Sequence, residues 1–145
     1  MALMAATVPA ANAATTERVV VDPRTGLAIY GFDPVAYFTE AGPAIGREDL
    51  ELAHAGAVWR FRNLGNRAAF AERPDVYMPQ FGGYDPIGLA HGVASPGHPQ
   101  LWLIIGNRLY LFHTRQARDA FAADPSQAGD AAQARWPEVL RTLVP

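Results

Sequence analysis

The chain has 145 residues, 50% of them apolar, and a net charge of −2 at pH 7. This size and composition are typical of one small globular domain, and the near-neutral charge argues against a nucleic-acid partner. The sequence has no cysteine and no lysine. A cysteine nucleophile, a thiolate metal site, a Schiff-base lysine and a Walker lysine are therefore excluded.

The amino-terminal segment has the composition of an export signal. Residues 1–13 are small and apolar and end in Ala11-Asn12-Ala13, the A-x-A pattern that signal peptidase cuts. We predict a truncated signal peptide over residues 1–13, with Ala14 as the first mature residue; the alternative is an alanine-rich disordered tail. Residues 14–25 are then an extension, and residues 26–145 form the domain. No other segment approaches the ~18–20 apolar residues of a membrane span, so we expect a periplasmic or otherwise extracytoplasmic protein.

The first predicted element of the domain is a short helix. Asp33-Pro34 combines a helix-capping side chain with proline at the first helical position, and the helix is expected to continue through Tyr37. This pattern predicts a capped turn that anchors aromatic side chains in the core.

The most informative feature is an internal repeat. Residues 50–74 return without a gap as residues 101–125, 51 positions later. Eight positions are identical: Leu50/Leu101, Leu52/Leu103, Phe61/Phe112, Arg67/Arg118, Ala69/Ala120, Phe70/Phe121, Ala71/Ala122 and Pro74/Pro125. Two such units indicate one supersecondary module used twice, because a single module of this size could hardly bury a core alone.

Each copy has the pattern of a strand, a tight turn, a second strand and a helix. The turns are Ala55-Gly56 and Gly106-Asn107, of which the second tolerates the positive φ of a two-residue hairpin. Asn63 and Thr114 are the predicted helix caps, and Phe70 and Phe121 should dock each helix on its hairpin. Residues 109–112 are apolar on both faces, which places the second hairpin deeper in the domain.

A glycine-rich segment joins the two units, and here function is most plausible. Gly82-Gly83-Tyr84-Asp85 combines paired glycines, an aromatic ring and a carboxylate. Paired glycines permit close approach of the backbone to a ligand or, more commonly, to another chain segment. At the other end of the chain, residues 131–143 have a helical pattern that we expect to break at Trp136-Pro137.

Four residues form a candidate metal site, namely Asp85, His91, His98 and His113. Carboxylate and imidazole ligands without a thiolate favour Zn(II) or Cu(II) over Cu(I). The seven-residue spacing of His91 and His98 matches no known ligand geometry, so spacing alone does not establish the site.

The sequence contains no recognised catalytic motif. It lacks Gly-x-Ser-x-Gly, a phosphate loop, Gly-x-Gly-x-x-Gly and His-Glu-x-x-His, and its carboxylates form no recognisable dyad. We therefore expect a protein that is not an enzyme.

Many ordered motifs carry a family resemblance over residues 26–140. They are Gly26-Leu27-Ala28-Ile29, Gly31-Phe32-Asp33-Pro34-Val35-Ala36-Tyr37-Phe38, Trp59-Arg60-Phe61, Asn66-Arg67, Phe70, Pro74, Tyr77, Pro79-Gln80-Phe81-Gly82-Gly83-Tyr84, Pro96-Gly97, Trp102, Leu109-Tyr110-Leu111 and Trp136-Pro137. With them the chain resembles the exported bacterial branch of the YHS domain family. The resemblance implies metal handling, but many relatives have cysteine after Gly-Gly-Tyr where this chain has Asp85, which puts that role in doubt.

Together these features predict an α+β domain of two hairpin-plus-helix units joined by the glycine-rich segment. The expected function is that of a non-catalytic exported binding or accessory domain, whose ligand, a metal ion or a small molecule, lies near residues 82–91. The alternative is a purely structural or protein-interaction domain that has lost the family's metal site. The protein partner or small ligand is not identified by the sequence.

Overall fold

The computed structural model describes residues 18–143, so the predicted signal peptide lies outside the described residues. Within that range the chain folds into six α-helices and two antiparallel two-stranded sheets, which confirms the α+β fold class. The helices are α1 (Ala36–Thr39), α2 (Leu64–Glu72), α3 (Pro74–Tyr77), α4 (Pro86–Ala90), α5 (Arg115–Ala123) and α6 (Pro125–Leu140). The strands are β1 (Arg47–His54), β2 (Ala57–Phe61), β3 (His98–Ile105) and β4 (Arg108–Phe112).

Both repeated segments contain a hairpin followed by a helix. Strands β3 and β4 and helix α5 begin and end 51 positions after β1, β2 and α2. Each hairpin also has one irregularity in its register, between Arg47 and Glu51 in the first and between His98 and Trp102 in the second. The two segments therefore have the same elements in the same order and with the same lengths.

The hairpin turns have the backbone conformation that the sequence predicts. Ala55 and Gly56 have φ of 54° and 78°, and Gly106 and Asn107 have φ of 60° and 62°. Two successive residues with positive φ form the turn whose twist matches a two-residue hairpin.

Capping side chains start the two long helices that follow the hairpins. The side chain of Asn63 accepts a hydrogen bond from Asn66 N at 2.7 Å, and that of Thr114 accepts one from Ala117 N at 3.1 Å. Each bond satisfies a backbone donor that the first helical turn leaves free. Both caps were predicted from the sequence and are confirmed.

Strand β4 lies at the centre of the domain. Leu109 and Leu111 pack in the same buried cluster as Trp59 and Phe70 of the first unit. Tyr110, on the opposite face, belongs to a separate cluster of the second unit. The strand is apolar on both faces because each face covers a different part of the core, as predicted.

The amino-terminal extension contributes to the core. Val19 and Val20 are 4% and 3% exposed, and each belongs to a different buried cluster. Val20 N donates to Gly82 O at 2.8 Å, and Ile29 N donates to Val20 O at 2.8 Å. Residues 18–20 are thus held against the glycine-rich segment although they precede the domain boundary expected at residue 26.

The carboxyl-terminal helix differs from its prediction. Helix α6 runs from Pro125 to Leu140 and passes through Pro137, so the break predicted at Trp136-Pro137 is wrong. Ala128, Ala132 and Val139 are buried along one face of the helix. Packing of this face compensates for the hydrogen bond that an internal proline cannot donate. No helix between residues 18 and 143 has the length and apolar character of a membrane span.

Candidate functional site

The carboxylate of Asp85 is a helix cap and a link between elements. Asp85 is 2% exposed. Its Oδ1 accepts from Ile87 N at 2.8 Å, at the start of α4, and its Oδ2 accepts from His113 N at 2.9 Å, at the end of β4. Both oxygens are therefore engaged with backbone donors.

Asp33 makes the corresponding contacts beside the first hairpin. Its Oδ1 accepts from Val35 N at 2.8 Å and its Oδ2 from Arg62 N at 2.7 Å. Oδ2 also accepts from Asn66 Nδ2 at 2.8 Å. Oδ1 accepts a further bond from Ala36 N at 3.3 Å, so Asp33 caps the turn that leads into α1, as predicted. The helix start predicted at Pro34 is wrong, because α1 begins at Ala36 with Val35 as its N-cap.

Backbone hydrogen bonds extend this correspondence around the two aspartates. Asp33 N donates to Ala44 O and Asp85 N donates to Ser95 O, both at 2.8 Å. The glycines that precede the aspartates by two positions also accept matched bonds, from Gly46 N and Gly97 N, both at 2.9 Å. The surroundings of Asp85 are thus those of a structural link that the chain makes twice.

The three histidines of the candidate metal site lie at the ends of elements. His91 is exposed and is the C-cap residue that follows α4, and His98 begins β3, where its Nδ1 accepts from Gln100 N at 3.0 Å. His113 is exposed, and its Nδ1 lies 2.8 Å from Pro96 O. Among residues 18–143, no three histidine, aspartate or glutamate side chains are grouped so that they could hold a metal ion. The metal site stays a prediction, without support from this geometry.

The paired glycines lie against other segments of the chain. A Cβ at Gly82 would collide with the carbonyl oxygen of Arg18. Gly82 has φ of 64° and Gly83 has φ of 93°, a conformation that residues with a Cβ rarely adopt. Tyr84 is 2% exposed, with its ring centroid 6.5 Å from that of Trp136. Gly82 therefore serves the close approach of another chain segment, the more common of the two uses considered for it.

A cleft of about 610 Å³ opens beside this crossing. We call it the Trp136 cleft. It is lined by Arg18, Val19, Ala55, Gly56, Asp75, Met78, Pro79, Gln80, Phe81, Gly82 and Trp136. Four separate parts of the chain meet here: the amino-terminal segment, the first hairpin turn, residues 75–82 and helix α6.

Aromatic and thioether side chains form the apolar part of the Trp136 cleft. The rings of Phe81 and Trp136 meet edge to face, with centroids 5.6 Å apart and an interplanar angle of 73°. Met78, Phe81 and Trp136 are only partly buried, so their apolar surfaces remain accessible from the cleft. Phe81 has φ of 57°, and Ile29, at the corresponding position before Asp33, has φ of 43°, so this uncommon conformation belongs to the structural link that the chain makes twice.

Arg18 and Asp75 are the charged residues of the cleft. Asp75 lies 3.5 Å from Arg73, measured from Oδ1 to Nε, in an exposed ion pair. The ion pairs found within residues 18–143 do not include Arg18. The lining thus combines an apolar wall with one positive charge that has no acidic partner in the described part of the chain.

Two further clefts adjoin this region. One of about 540 Å³ lies between Phe81, the second hairpin turn and α6, and one of about 560 Å³ lies between α3 and the same turn. Gln80 lines all three clefts. Three clefts therefore adjoin residues 75–81, just before the glycine pair that the sequence singled out.

The sequence indicated the glycine-rich segment but not most of the lining. It singled out Gly82, whereas Trp136 was noted there only at an expected helix break. Arg18 and Asp75 carry no local signal, because they meet the cleft only through the fold. No protein-family model, curated protein or solved structure matches the chain.

Proposed function

We propose that this protein is a non-catalytic binding domain that holds a small amphipathic organic molecule in the Trp136 cleft. The observation that carries the proposal is the cleft itself, with a volume of about 610 Å³ and a lining of accessible aromatic and thioether groups. Ligand pockets in proteins have volumes of ~300–1,000 Å³ and combine an apolar lining with a few polar groups. The Trp136 cleft has both properties.

The chemistry of the lining supports binding rather than catalysis. The lining residues between positions 18 and 143 have titratable side chains only at Arg18 and Asp75, and they include no serine, threonine, tyrosine or histidine. A nucleophile paired with a general base, the arrangement that covalent catalysis requires, is therefore not formed by the lining residues.

The organic ligand replaces the metal ion as the favoured occupant. Both oxygens of Asp85 accept hydrogen bonds from backbone donors, at 2.8 and 2.9 Å. A cation at Asp85 would compete with the donors that hold α4 to the end of β4. The resemblance to exported YHS proteins remains part of the proposal, as a statement about kinship and not about the ligand.

Binding of a neutral dye tests the proposal. We expect N-phenylnaphthylamine, which fluoresces in apolar surroundings, to bind the wild type with micromolar affinity. Trp136→Ala should weaken binding about tenfold, equivalent to ~1.4 kcal/mol, because it removes one aromatic wall. Fluorescence titration measures both values.

Trp102→Ala is the matched control. Trp102 is also partly buried, and its ring centroid lies 5.4 Å from that of Tyr37. It does not line the Trp136 cleft. Its replacement should leave dye affinity unchanged, and near-ultraviolet circular dichroism should show that both variants are folded. If both variants lost the same amount of dye affinity, or if the wild type bound no dye, the alternative of a structural or protein-interaction domain would be favoured.

Export is a separate part of the proposal, and its evidence is the A-x-A pattern at Ala11 and Ala13. Mass spectrometry of protein from the native cell envelope should find a chain that starts at or near Ala14. An intact chain starting at Met1 and confined to the cytosol would contradict export while leaving the binding proposal untouched.

A further inference from the structure

We infer that the Trp136 cleft selects ligands that carry an anionic group, which Arg18 binds at the rim. This inference rests on the proposed binding function and adds the charge of the ligand. It follows from how the backbone places Arg18 and from the charges around it.

The glycine-rich segment holds Arg18 in place. The carbonyl oxygen of Arg18 lies so close to the α-carbon of Gly82 that a Cβ there would collide with it. Two residues later, Val20 N donates to Gly82 O at 2.8 Å and Val20 is buried. The backbone of Arg18 is therefore anchored, so less conformational entropy is lost when its side chain binds a ligand than for an arginine on a free chain end.

This placement depends on the absence of a side chain at position 82. Gly82 lies three positions before Asp85, and the residue three positions before Asp33 is Tyr30, whose φ of 59° is close to the 64° of Gly82. A side chain at position 82 would exclude residues 18 and 19. The arginine therefore lies beside the cleft because residue 82 is glycine.

The local charge favours an anion. Asp75, the acidic residue of the lining, has Arg73 as its partner at 3.5 Å. Arg18 is exposed and takes part in none of the ion pairs found within residues 18–143. A guanidinium presents paired donors that match a carboxylate or a sulfonate, and Trp136 and Phe81 would contact the apolar part of the same molecule.

Two dyes with the same rings separate this inference from the proposed function. N-phenylnaphthylamine is neutral, and anilinonaphthalene sulfonate adds one anionic group to the same skeleton. We expect the wild type to bind the sulfonate about fivefold to tenfold more tightly, as expected for one charge-assisted contact. This preference should decrease as salt is added, because the contact is partly exposed.

Arg18→Gln should abolish the preference by weakening sulfonate binding about fivefold to tenfold, with the affinity for the neutral dye unchanged. Arg18→Lys should retain part of the preference because it keeps the charge. Arg24→Gln is the matched control, since Arg24 is also an exposed arginine, in a turn six residues further along the chain, and does not line the cleft. The inference would be overturned if the wild type bound the two dyes with equal affinity, or if Arg18→Gln lowered the affinity for both dyes by the same factor. The proposed binding function would stand in either case. Failure of both dyes to bind would overturn both.

Discussion

Asp33→Ala is expected to lower the free energy of unfolding by about 3 to 5 kcal/mol. The carboxylate is fully buried and accepts hydrogen bonds from Val35 N, Arg62 N and Asn66 Nδ2. Alanine would leave these donors without a partner, and each buried unsatisfied donor costs ~1–3 kcal/mol. Urea unfolding followed by circular dichroism measures the loss.

Two other aspartates calibrate this result. Asp85→Ala should lower the free energy of unfolding by about 2 to 4 kcal/mol, since the carboxylate of Asp85 accepts hydrogen bonds from two backbone donors. Asp49→Ala should lower the free energy of unfolding by less than about 0.5 kcal/mol, because its side chain is 65% exposed and its ion pair with Arg47 lies at the surface. A loss below about 1 kcal/mol in Asp33→Ala would mean that the buried donors find other partners.

Phe121→Ala is expected to lower the free energy of unfolding by about 3 to 5 kcal/mol, the range for deleting a buried aromatic side chain. Phe121 is 1% exposed. Its ring centroid lies 4.6 Å from that of Tyr110 and 5.3 Å from that of Phe112, so it joins α5 to both rings of β4. Thermal or urea unfolding gives the difference from the wild type.

Phe70 provides the matched position in the first unit. It is 0% exposed and contacts the rings of Trp59 and Phe61 at 5.0 and 5.2 Å, so Phe70→Ala should give a similar loss. Leu64→Ala is the control for an apolar side chain at the helix surface, because Leu64 is 64% exposed, and it should change the free energy of unfolding by less than about 0.5 kcal/mol. A loss below about 1 kcal/mol for Phe121→Ala would show that Phe121 is not part of the core.

The local elements could be predicted because their signals lie within a few consecutive residues. Gly106-Asn107 permits the positive φ of the turn, and Asn63 and Thr114 supply caps within three residues of the donors that they satisfy. Helix α6 could not be predicted in the same way. Its continuity through Pro137 depends on a face that packs on distant residues, which a local helix-breaking rule does not include.

The candidate metal site shows that residue type alone does not identify a metal ligand. Asp85 has the carboxylate that a metal ion needs, but its oxygens face Ile87 N and His113 N. A signal for this role was present in the sequence. Gly-Phe-Asp-Pro at residues 31–34 returns as Gly-Tyr-Asp-Pro at residues 83–86, and the capping role assigned to Asp33 applies equally to Asp85.

By itself the sequence determined the fold class, the two hairpins, their caps and the aromatic side chains that dock each helix. These features depend on backbone preferences and on apolar periodicity within short segments. Only the tertiary structure decided what the glycine pair serves and where a ligand fits. Arg18, Asp75 and Trp136 belong to separate segments, and they share one cleft because residues 18–20 cross Gly82 and α6 packs beside them.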